Sequence, residues 1–407
     1  MAAWLAWGLG ALFYAYAFFQ RVAPSVMVGE LMRDFALGGA MLGSLSAAYF
    51  YAYAAVQIPV GVLLDRLGPR RMLVVAALGA GLGGLAFALA PSFGWAMTGR
   101  ALIGAMVGVA YVATLKIASL WFAPARFGLL AGLTLAAGTM GAIGAQVPLA
   151  AGIAAFGWRP TMMAVAGAGL LMALAMLLFL RERPDGSAVA HGHGSLLADM
   201  MAILRRREIW LLVVATGAIG APMLTFAGLW GVPYLVQVHG LDRTGAGLVT
   251  SLMLATWAVG GPLCGGLSDR LGRRRPVLLA GTVTALACWL LVLAVPQPPL
   301  VLLVPILALA GLAAGSMVAA FGLGRDLSGA ARAGTVMGLI NTSVLLFGAA
   351  MQTLMGLILD LGWQGELVEG ARVYRPEAYR AALAIFGLVA ATAAGAVAAT
   401  REPRRAA

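Results

Sequence analysis

Charged residues are scarce in this chain of 407 residues. Asp, Glu, Lys and Arg together make up 10% of the sequence, whereas apolar residues make up 62% and the mean hydropathy is +0.94. A soluble core of this length cannot bury so many apolar side chains, but a helical bundle in a bilayer can expose them to lipid. The composition therefore predicts a membrane-embedded protein.

Cysteine and histidine are also rare, with two and three copies. Cys264 and Cys288 lie in apolar runs, and His191 and His193 stand in a polar segment without further ligands, so we expect no disulfide framework and no metal site. The third histidine, His239, is expected in an external hairpin. No nucleotide-binding loop and no nucleophile–base pair at membrane depth are present. We therefore expect no cofactor, no ATP-driven transport and no enzyme.

Long apolar windows fill the rest of the chain. A membrane-spanning helix needs about 20 mostly apolar residues. Windows of that length occur at 4–28, 39–64, 72–90, 95–121, 127–153, 160–180, 208–235, 244–268, 276–295, 299–322, 334–358 and 379–399. The pattern predicts an all-α membrane protein of 12 transmembrane helices, and the basic-poor N-terminus is expected to be a retained first helix.

A charged heptapeptide occurs twice. Asp65–Arg71 (DRLGPRR) returns 204 residues later as Asp269–Arg275 (DRLGRRR), each copy between two apolar windows. A repeat of half the chain length is typical of secondary transporters built from two related bundles. We therefore predict two pseudo-symmetric six-helix bundles, 1–184 and 208–407, joined by a cytoplasmic linker, 185–207, that contains an amphipathic helix.

The net charge of +12 is distributed unevenly. Of the 27 Lys and Arg residues, 18 fall on the side that holds both termini and the linker, six fall in the opposite hairpins, and three fall within apolar windows. The positive-inside rule places both termini in the cytoplasm. The basic charge is thus a sign of topology rather than of nucleic-acid binding, and we expect a monomeric, multi-pass protein of the bacterial cytoplasmic (inner) membrane.

Several motifs resemble those of the major facilitator superfamily. The run Gly61-Val-Leu-Leu-Asp65-Arg-Leu-Gly-Pro-Arg70-Arg71 is similar to that family's signature between helices two and three, and its second copy is similar to the weaker repeat. Arg100, Gly104 and Gly108 resemble the fourth-helix signature. The fifth-helix run from Gly138 only partly resembles that of proton-coupled drug antiporters, because alanine occupies the place of its proline.

The resemblance implies a role for the heptapeptides in closing the cytoplasmic side while the outside is open. Asp65 would meet the start of helix eleven near Gly334, and Asp269 would meet helix five near Phe127, where a carboxylate faces the positive end of a helix. The alternative is that the arginines only anchor the topology. The residues expected to form this conformational latch are Asp65, Arg66, Arg70, Asp269, Arg270 and Arg273.

Three cations lie within apolar windows, and all fifteen Asp and Glu residues fall at helix ends or in hairpins. Ionisable groups at membrane depth are costly and indicate function. The windows thus contain no Asp or Glu at the depth of Arg21, Arg100 and Lys116, and the cargo is expected to supply the counter-charge.

Arg21 is the strongest of these candidates. It shares a helical face with Tyr14, Phe18 and Ser25, and a guanidinium can bind a carboxylate or phosphate through two parallel hydrogen bonds. The placement resembles the first-helix arginine of organophosphate and anion:cation carriers. The alternative is an arginine that extends to the outer interface.

Arg100 and Lys116 each allow two interpretations. Arg100 shares its face with Gly104 and Gly108, which favour close helix packing as strongly as a cavity. Lys116 is the only lysine, which suggests a compact titratable amine, but it could extend to the cytoplasm. The two are about 24 Å and about 160° apart on a straight helix and would not reach one ligand.

Uncharged polar residues supply further candidate substrate contacts, although such residues more often join helices to each other. The candidates are Tyr14, Tyr53, Gln57, Trp230, Tyr234 and Asn341.

The sequence therefore predicts a secondary active transporter that moves a small organic anion of the carboxylate type by alternating access, with uptake favoured. A coupling proton would have to use the substrate, Lys116 or a hairpin acid. Two alternatives are a carrier of a neutral or zwitterionic nutrient, such as an amino acid or nucleoside, and a proton-coupled efflux pump.

The topology can be tested with single introduced cysteines and a membrane-impermeant thiol reagent. We expect Glu366→Cys to be labelled in intact cells and His191→Cys to be labelled only after permeabilisation. Labelling of His191→Cys from outside, with none at Glu366→Cys, would reverse the orientation.

Overall fold

The computed structural model describes residues 2–123, 126–181, 203–329 and 332–402. The first part contains α1 (Ala2–Val22), α2 (Val28–Phe35), α3 (Gly39–Ala88), α4 (Phe93–Val107), α5 (Ala110–Trp121), α6 (Phe127–Gly144), α7 (Val147–Phe156) and α8 (Trp158–Phe179). The second contains α9 (Arg207–Thr225), α10 (Gly231–His239), α11 (Arg243–Arg270), α12 (Arg275–Ala294), α13 (Leu300–Ala314), α14 (Met317–Ser328), α15 (Ala333–Leu361) and α16 (Pro376–Ala399). One small antiparallel hairpin pairs β1 (Leu367–Val368) with β2 (Ala371–Arg372).

Most of these helices are long and apolar enough to cross a membrane. Ten segments of the described chain meet that condition, and an eleventh is obtained if Val28–Phe35 and Gly39–Gln57, which bend by 112°, form one span. The predicted all-α membrane fold is confirmed, but the described residues give ten or eleven such spans rather than twelve. The two windows without a counterpart among these ten spans are 4–28 and 39–64, which hold α1 and the start of α3.

The two heptapeptides share a glycine with a positive φ. Gly68 interrupts α3 with φ +77° and ψ 157°, and Gly272, between α11 and α12, has φ +63°. Only glycine adopts positive φ without a steric penalty, so both copies need it at this position. The predicted boundary linker cannot be followed, since His191, His193 and the rest of 182–202 lie outside the described residues. The boundaries at 184 and 207 stay a prediction.

The internal repeat extends to α4 and α5 of the first half, which correspond to α13 and α14 of the second. Helices α4 and α5 begin and end 207 residues before α13 and α14. A Cβ on Gly104 would collide with the backbone carbonyl of Tyr49 in α3, and a Cβ on Gly311 would collide with that of Met253 in α11. Both glycines thus permit the same close helix crossing.

The two halves meet mainly on the side of the molecule that is opposite to the heptapeptides. There α3 packs along α15, α11 packs on α6 and α7, and the 3-10 turn contacts a π turn at Phe226–Trp230. Gly39 and Gly43 of α3 lie against the backbone of Gly356 and Gln352. On the heptapeptide side, a Cβ on Gly61, Gly334 or Gly338 would meet open space. We call the side on which the two halves are in contact, opposite to the heptapeptides, the far side, and we describe it as closed.

The glycine contacts predict different costs for two alanine substitutions in one helix. Gly104→Ala should clearly lower the thermal midpoint of the protein in detergent, since overpacking a tight contact costs about 1–3 kcal/mol. Gly94→Ala, also in α4, has no neighbour within 4 Å of its new Cβ and should leave the midpoint unchanged. Equal midpoints for the two variants would contradict the close crossing.

Candidate substrate site

Arg21 lies in the last turn of α1, where the helix passes into the 3-10 turn. Its side chain is buried, with 8% of the residue exposed. The guanidinium carbon lies 4.1 Å from the ring centre of Phe18, 5.6 Å from that of Tyr53 and 5.9 Å from that of Phe50. No carboxylate forms an ion pair with Arg21 in the described parts of the chain, and its buried Nε has no hydrogen-bond partner there.

The rings around Arg21 form a continuous group, which we call the aromatic cluster. Tyr14 lies 4.8 Å from Phe18 and 5.1 Å from Tyr111, centre to centre. Tyr53 and Phe50 contribute from α3, and Tyr111 from α5. Ring faces attract a cation electrostatically, so the cluster stabilises the charge of Arg21 without neutralising it. An anion approaching Arg21 therefore meets a positive charge that is surrounded by aromatic rings and tyrosine hydroxyls, with no carboxylate paired to it in the described chain.

Arg100 is fully buried directly behind this part of α1. Its Nη1 donates a hydrogen bond of 2.7 Å to the carbonyl oxygen of Gln20, the residue before Arg21. Its guanidinium carbon also lies 5.1 Å from the ring centre of Tyr49. Nε and Nη2 of Arg100 have no partner among the described residues. Arg100 therefore contacts the backbone that carries Arg21.

Lys116 lies apart from Arg100, on the heptapeptide side. The predicted single helix 95–121 is interrupted at Gly108–Val109, which separates α4 from α5. Lys116 lines a cavity of about 290 Å³ on this side. The other lining residues belong to α3, α5 and α6, namely Gly61, Leu64, Val112, Leu115, Ser119 and Phe127.

The other predicted contact residues make bonds of their own. Gln57 donates to the carbonyl of Gly108 at 3.3 Å, and the indole of Trp230 donates to the carbonyl of Gln352 at 3.0 Å. Tyr234 packs within the second half, with its hydroxyl 3.1 Å from His239. Asn341 is half-buried in α15. The bonds of Gln57 and Trp230 join separate helices, and a substrate role for these four residues stays a prediction.

Two buried glutamines are more prominent in the structure than their sequence positions suggest. Gln146 donates 3.1 Å across the halves to the carbonyl of Ala227 in the π turn and accepts from Ser25 at 3.5 Å. Gln352 donates 2.8 Å to the carbonyl of Leu224. We call this pair the glutamine seam. In the sequence both are merely polar residues within apolar windows, and nothing there indicates their partners.

The latch residues lie mostly at the surface. Asp269 has a 68% exposed side chain and an ion pair of 3.3 Å with Arg274, and Arg273 lies 3.8 Å from Glu402. Arg66 and Arg270 are exposed, and Arg70 donates 3.0 Å to the carbonyl of Leu177. The side chain of Asp65 lies outside what the structure describes.

Arg274 was not among the predicted latch residues, yet it has the densest contacts in this region. Its Nε lies 2.8 Å from Asp326 of α14, and its side chain also contacts Ser268. The far side is closed in this structure. A latch that forms only when the far side is open would therefore be released in this state. The latch role stays a prediction.

Known proteins match this chain in sequence and in fold. The family model of the Major Facilitator Superfamily matches residues 10–353 and, in a second match, residues 227–407. The chain is 28% identical over 281 residues to the "Probable sulfoacetate transporter SauU" of Cupriavidus necator, covering 66% of this chain and 65% of that protein. It is 26% identical over 277 residues to the "Probable L-galactonate transporter" of Escherichia coli K12, covering 64% and 60%. The chain thus spans somewhat less than two thirds of the length of these relatives.

A solved structure agrees over the whole chain. The bacterial homolog of the human lysosomal transporter Spinster, in an inward-facing and occupied conformation, has a TM-score of 0.83 at 18% identity, covering 98% of both chains. At this identity the likeness shows the fold alone. Because the family model spans most of the sequence and the fold agrees throughout, this chain belongs to the major facilitator superfamily.

Proposed function

We propose that this protein is a secondary transporter that moves a small organic anion of the carboxylate type across the cytoplasmic membrane by alternating access. The observation that carries the proposal is Arg21, a buried cation on an aromatic cluster with no acidic partner in the described chain. A charge buried in a bilayer protein needs a counter-charge for stability. A substrate carboxylate supplies it and accepts two parallel hydrogen bonds from the guanidinium.

The internal repeat supports this assignment by comparison of equivalent positions. With the offset of 207 residues, Arg100 corresponds to Leu307 and Lys116 to Leu323, both of which are buried. The fold thus accepts an apolar side chain at either position, and helix packing alone does not require a cation. The three cations within apolar windows, Arg21, Arg100 and Lys116, all lie in the first half, so the anionic group of the substrate would face that half.

The relatives agree with an anionic cargo. Their printed names refer to sulfoacetate and L-galactonate, both of which are carboxylates at neutral pH. A zwitterionic nutrient would also bring an ammonium group. Since the sequence places no Asp or Glu near the centre of an apolar window, that group would have no acidic partner. The organic anion is therefore preferred to the amino acid, and the neutral nutrient remains the alternative.

The shape of the molecule supports a route from the far side to the heptapeptide side. The far side is sealed by backbone contacts and by the bond from Gln146 to Ala227, whereas the cavity at Lys116 lies on the other side. The excess of basic residues assigns the heptapeptide side to the cytoplasm. A substrate leaving Arg21 would pass Lys116 on its way into the cell, and the latch at Asp65 and Asp269 would close that path in the opposite state.

Arg21 provides the direct test of the substrate class. Arg21→Gln should raise the dissociation constant of the anion about ten- to a hundredfold, since a hydrogen bond to a charged group contributes roughly 1.5–3 kcal/mol. Arg21→Lys keeps the charge without the planar fork and should weaken binding less. The measurement is calorimetry or thermal shift against carboxylates, phosphates, amino acids and nucleosides.

The matched control is Arg375→Gln, which removes a positive charge from the exposed far-side surface. It should leave the dissociation constant unchanged. If Arg21→Gln binds the identified substrate as tightly as the wild type, the cargo is not an anion held by Arg21, and the neutral nutrient takes its place.

The repeat also predicts how Arg100 responds to substitution. Arg100→Leu introduces the residue found at the equivalent position and removes a buried charge that has two unpartnered nitrogens. The loss of the donor to the Gln20 carbonyl opposes this gain, so the thermal midpoint should change little. Transport should fall at least tenfold, because the carbonyl before Arg21 loses its donor. Leu307→Arg, the reverse change in the second half, should lower the midpoint. Normal transport in Arg100→Leu would reduce Arg100 to a packing residue.

A further inference from the structure

The far end of α15 supplies a cap to a helix in the other half of the protein. Asp360, in the last turn of α15, accepts hydrogen bonds from the backbone nitrogens of Gly39 (2.7 Å) and Ala40 (2.9 Å), 321 and 320 residues away. These nitrogens open α3, whose own N-cap residue, Gly38, has no side chain to serve them. The first N–H groups of a helix have no partner within the helix and attract a carboxylate. Asp360 thus acts as the N-cap of α3, although it belongs to a different helix in the other half.

Two further donors hold the carboxylate in place. The hydroxyl of Tyr374 lies 2.7 Å and Nη1 of Arg372 lies 3.0 Å from Oδ1 of Asp360. Burial, together with this hydrogen bond, raises the pKa of Tyr374 well above its usual value, so the phenol remains a donor at every physiological pH. The Asp360 side chain is only 19% exposed. The hairpin after α15 therefore orients Asp360 toward α3.

The cap coincides with the closest approach of the two halves. A Cβ on Gly39 would stand 2.6 Å from the carbonyl oxygen of Gly356, and one on Gly43 would collide with that of Gln352. Separation of the halves on this side must therefore break both bonds from α3 to Asp360. Within one half, by contrast, Asp242 caps its own helix α11 through Gly245 at 3.1 Å, and separation would leave that bond intact.

We infer that Asp360 is a conformational switch, a helix cap donated across the halves that stabilises the state closed on the far side and is released each time that side opens. The inference rests on the proposed function only through alternating access. The predicted latch joins Asp65 of α3 to the start of α15 on the heptapeptide side. The cap joins Asp360 of α15 to the start of α3 on the far side, so the two contacts are counterparts at opposite ends of the same helix pair. Loss of the cap should shift the population toward the open far side, without any change at Arg21.

The population can be measured by thiol labelling in nanodiscs, where a maleimide reaches both faces and no substrate is needed. Cys264 and Cys288 are first replaced by serine, and Ser25→Cys then introduces the only thiol. Ser25 is 1% exposed and lies in the 3-10 turn that contacts the π turn of the other half. Asp360→Ala, and to a smaller extent Asp360→Asn, should raise the labelling rate of this cysteine roughly 2- to 30-fold, the range that corresponds to the loss of a helix N-cap.

The controls separate a switch from general loosening. Asp242→Asn should leave the rate unchanged, and Glu366→Cys in the exposed hairpin should react equally in all variants. An unchanged Ser25→Cys rate in a folded Asp360→Asn variant, or an equal increase in Asp242→Asn, would overturn the inference. Because labelling requires no substrate, failure of the anion hypothesis at Arg21 would leave this result interpretable.

Discussion

Backbone carbonyl groups that are freed where helices break or end within the bilayer must find donors inside the protein, because lipid offers none. The breaks in this chain include the 3-10 turn after α1, the gap between α4 and α5, and the π turn between α9 and α10. Each has a polar side chain nearby that serves a carbonyl. Arg100 donates to Gln20, Gln57 to Gly108, and Gln146 to Ala227. These polar residues of the apolar windows thus bind the backbone, and Arg21 differs from them because no bond from its guanidinium to a backbone carbonyl occurs among the described residues.

This division explains what the sequence could predict about the site. A cation within an apolar window is visible in the sequence, and so is a heptapeptide with glycine at the turn, because each depends on local residue type. The partner of a buried glutamine is not visible. Gln146 reaches Ala227 and Asp360 reaches Gly39 only because separate helix ends meet in the assembled bundle. Asp360 in the sequence is simply an acid near the end of a window, and Arg274 is one of three consecutive arginines.

The two halves of the repeat share a backbone but differ in charge. Close crossings at Gly104 and Gly311, and breaks after α4 and α13, are conditions of the fold and recur in both halves. Arg100 and Lys116 have buried leucines as their equivalents, so they are not conditions of the fold. Duplication thus provides a comparison within one chain. Features that recur in both halves position the helices, and features found in one half alone are the candidates for contact with a substrate.

Alternating access requires that the two closed states differ little in free energy, since a state favoured by several kcal/mol would hold almost the entire population. The seal on the far side uses contacts that are individually modest: a helix cap, the amide bond from Gln146 to Ala227, and an ion pair of 2.7 Å between Glu30 and Arg243. The ion pair is partly exposed and contributes little. Glycines such as Gly39 and Gly356 let the backbones touch without interlocking side chains, so separation need not disrupt a packed core. The far side can therefore be closed in one state and still open, as the proposed transport cycle requires.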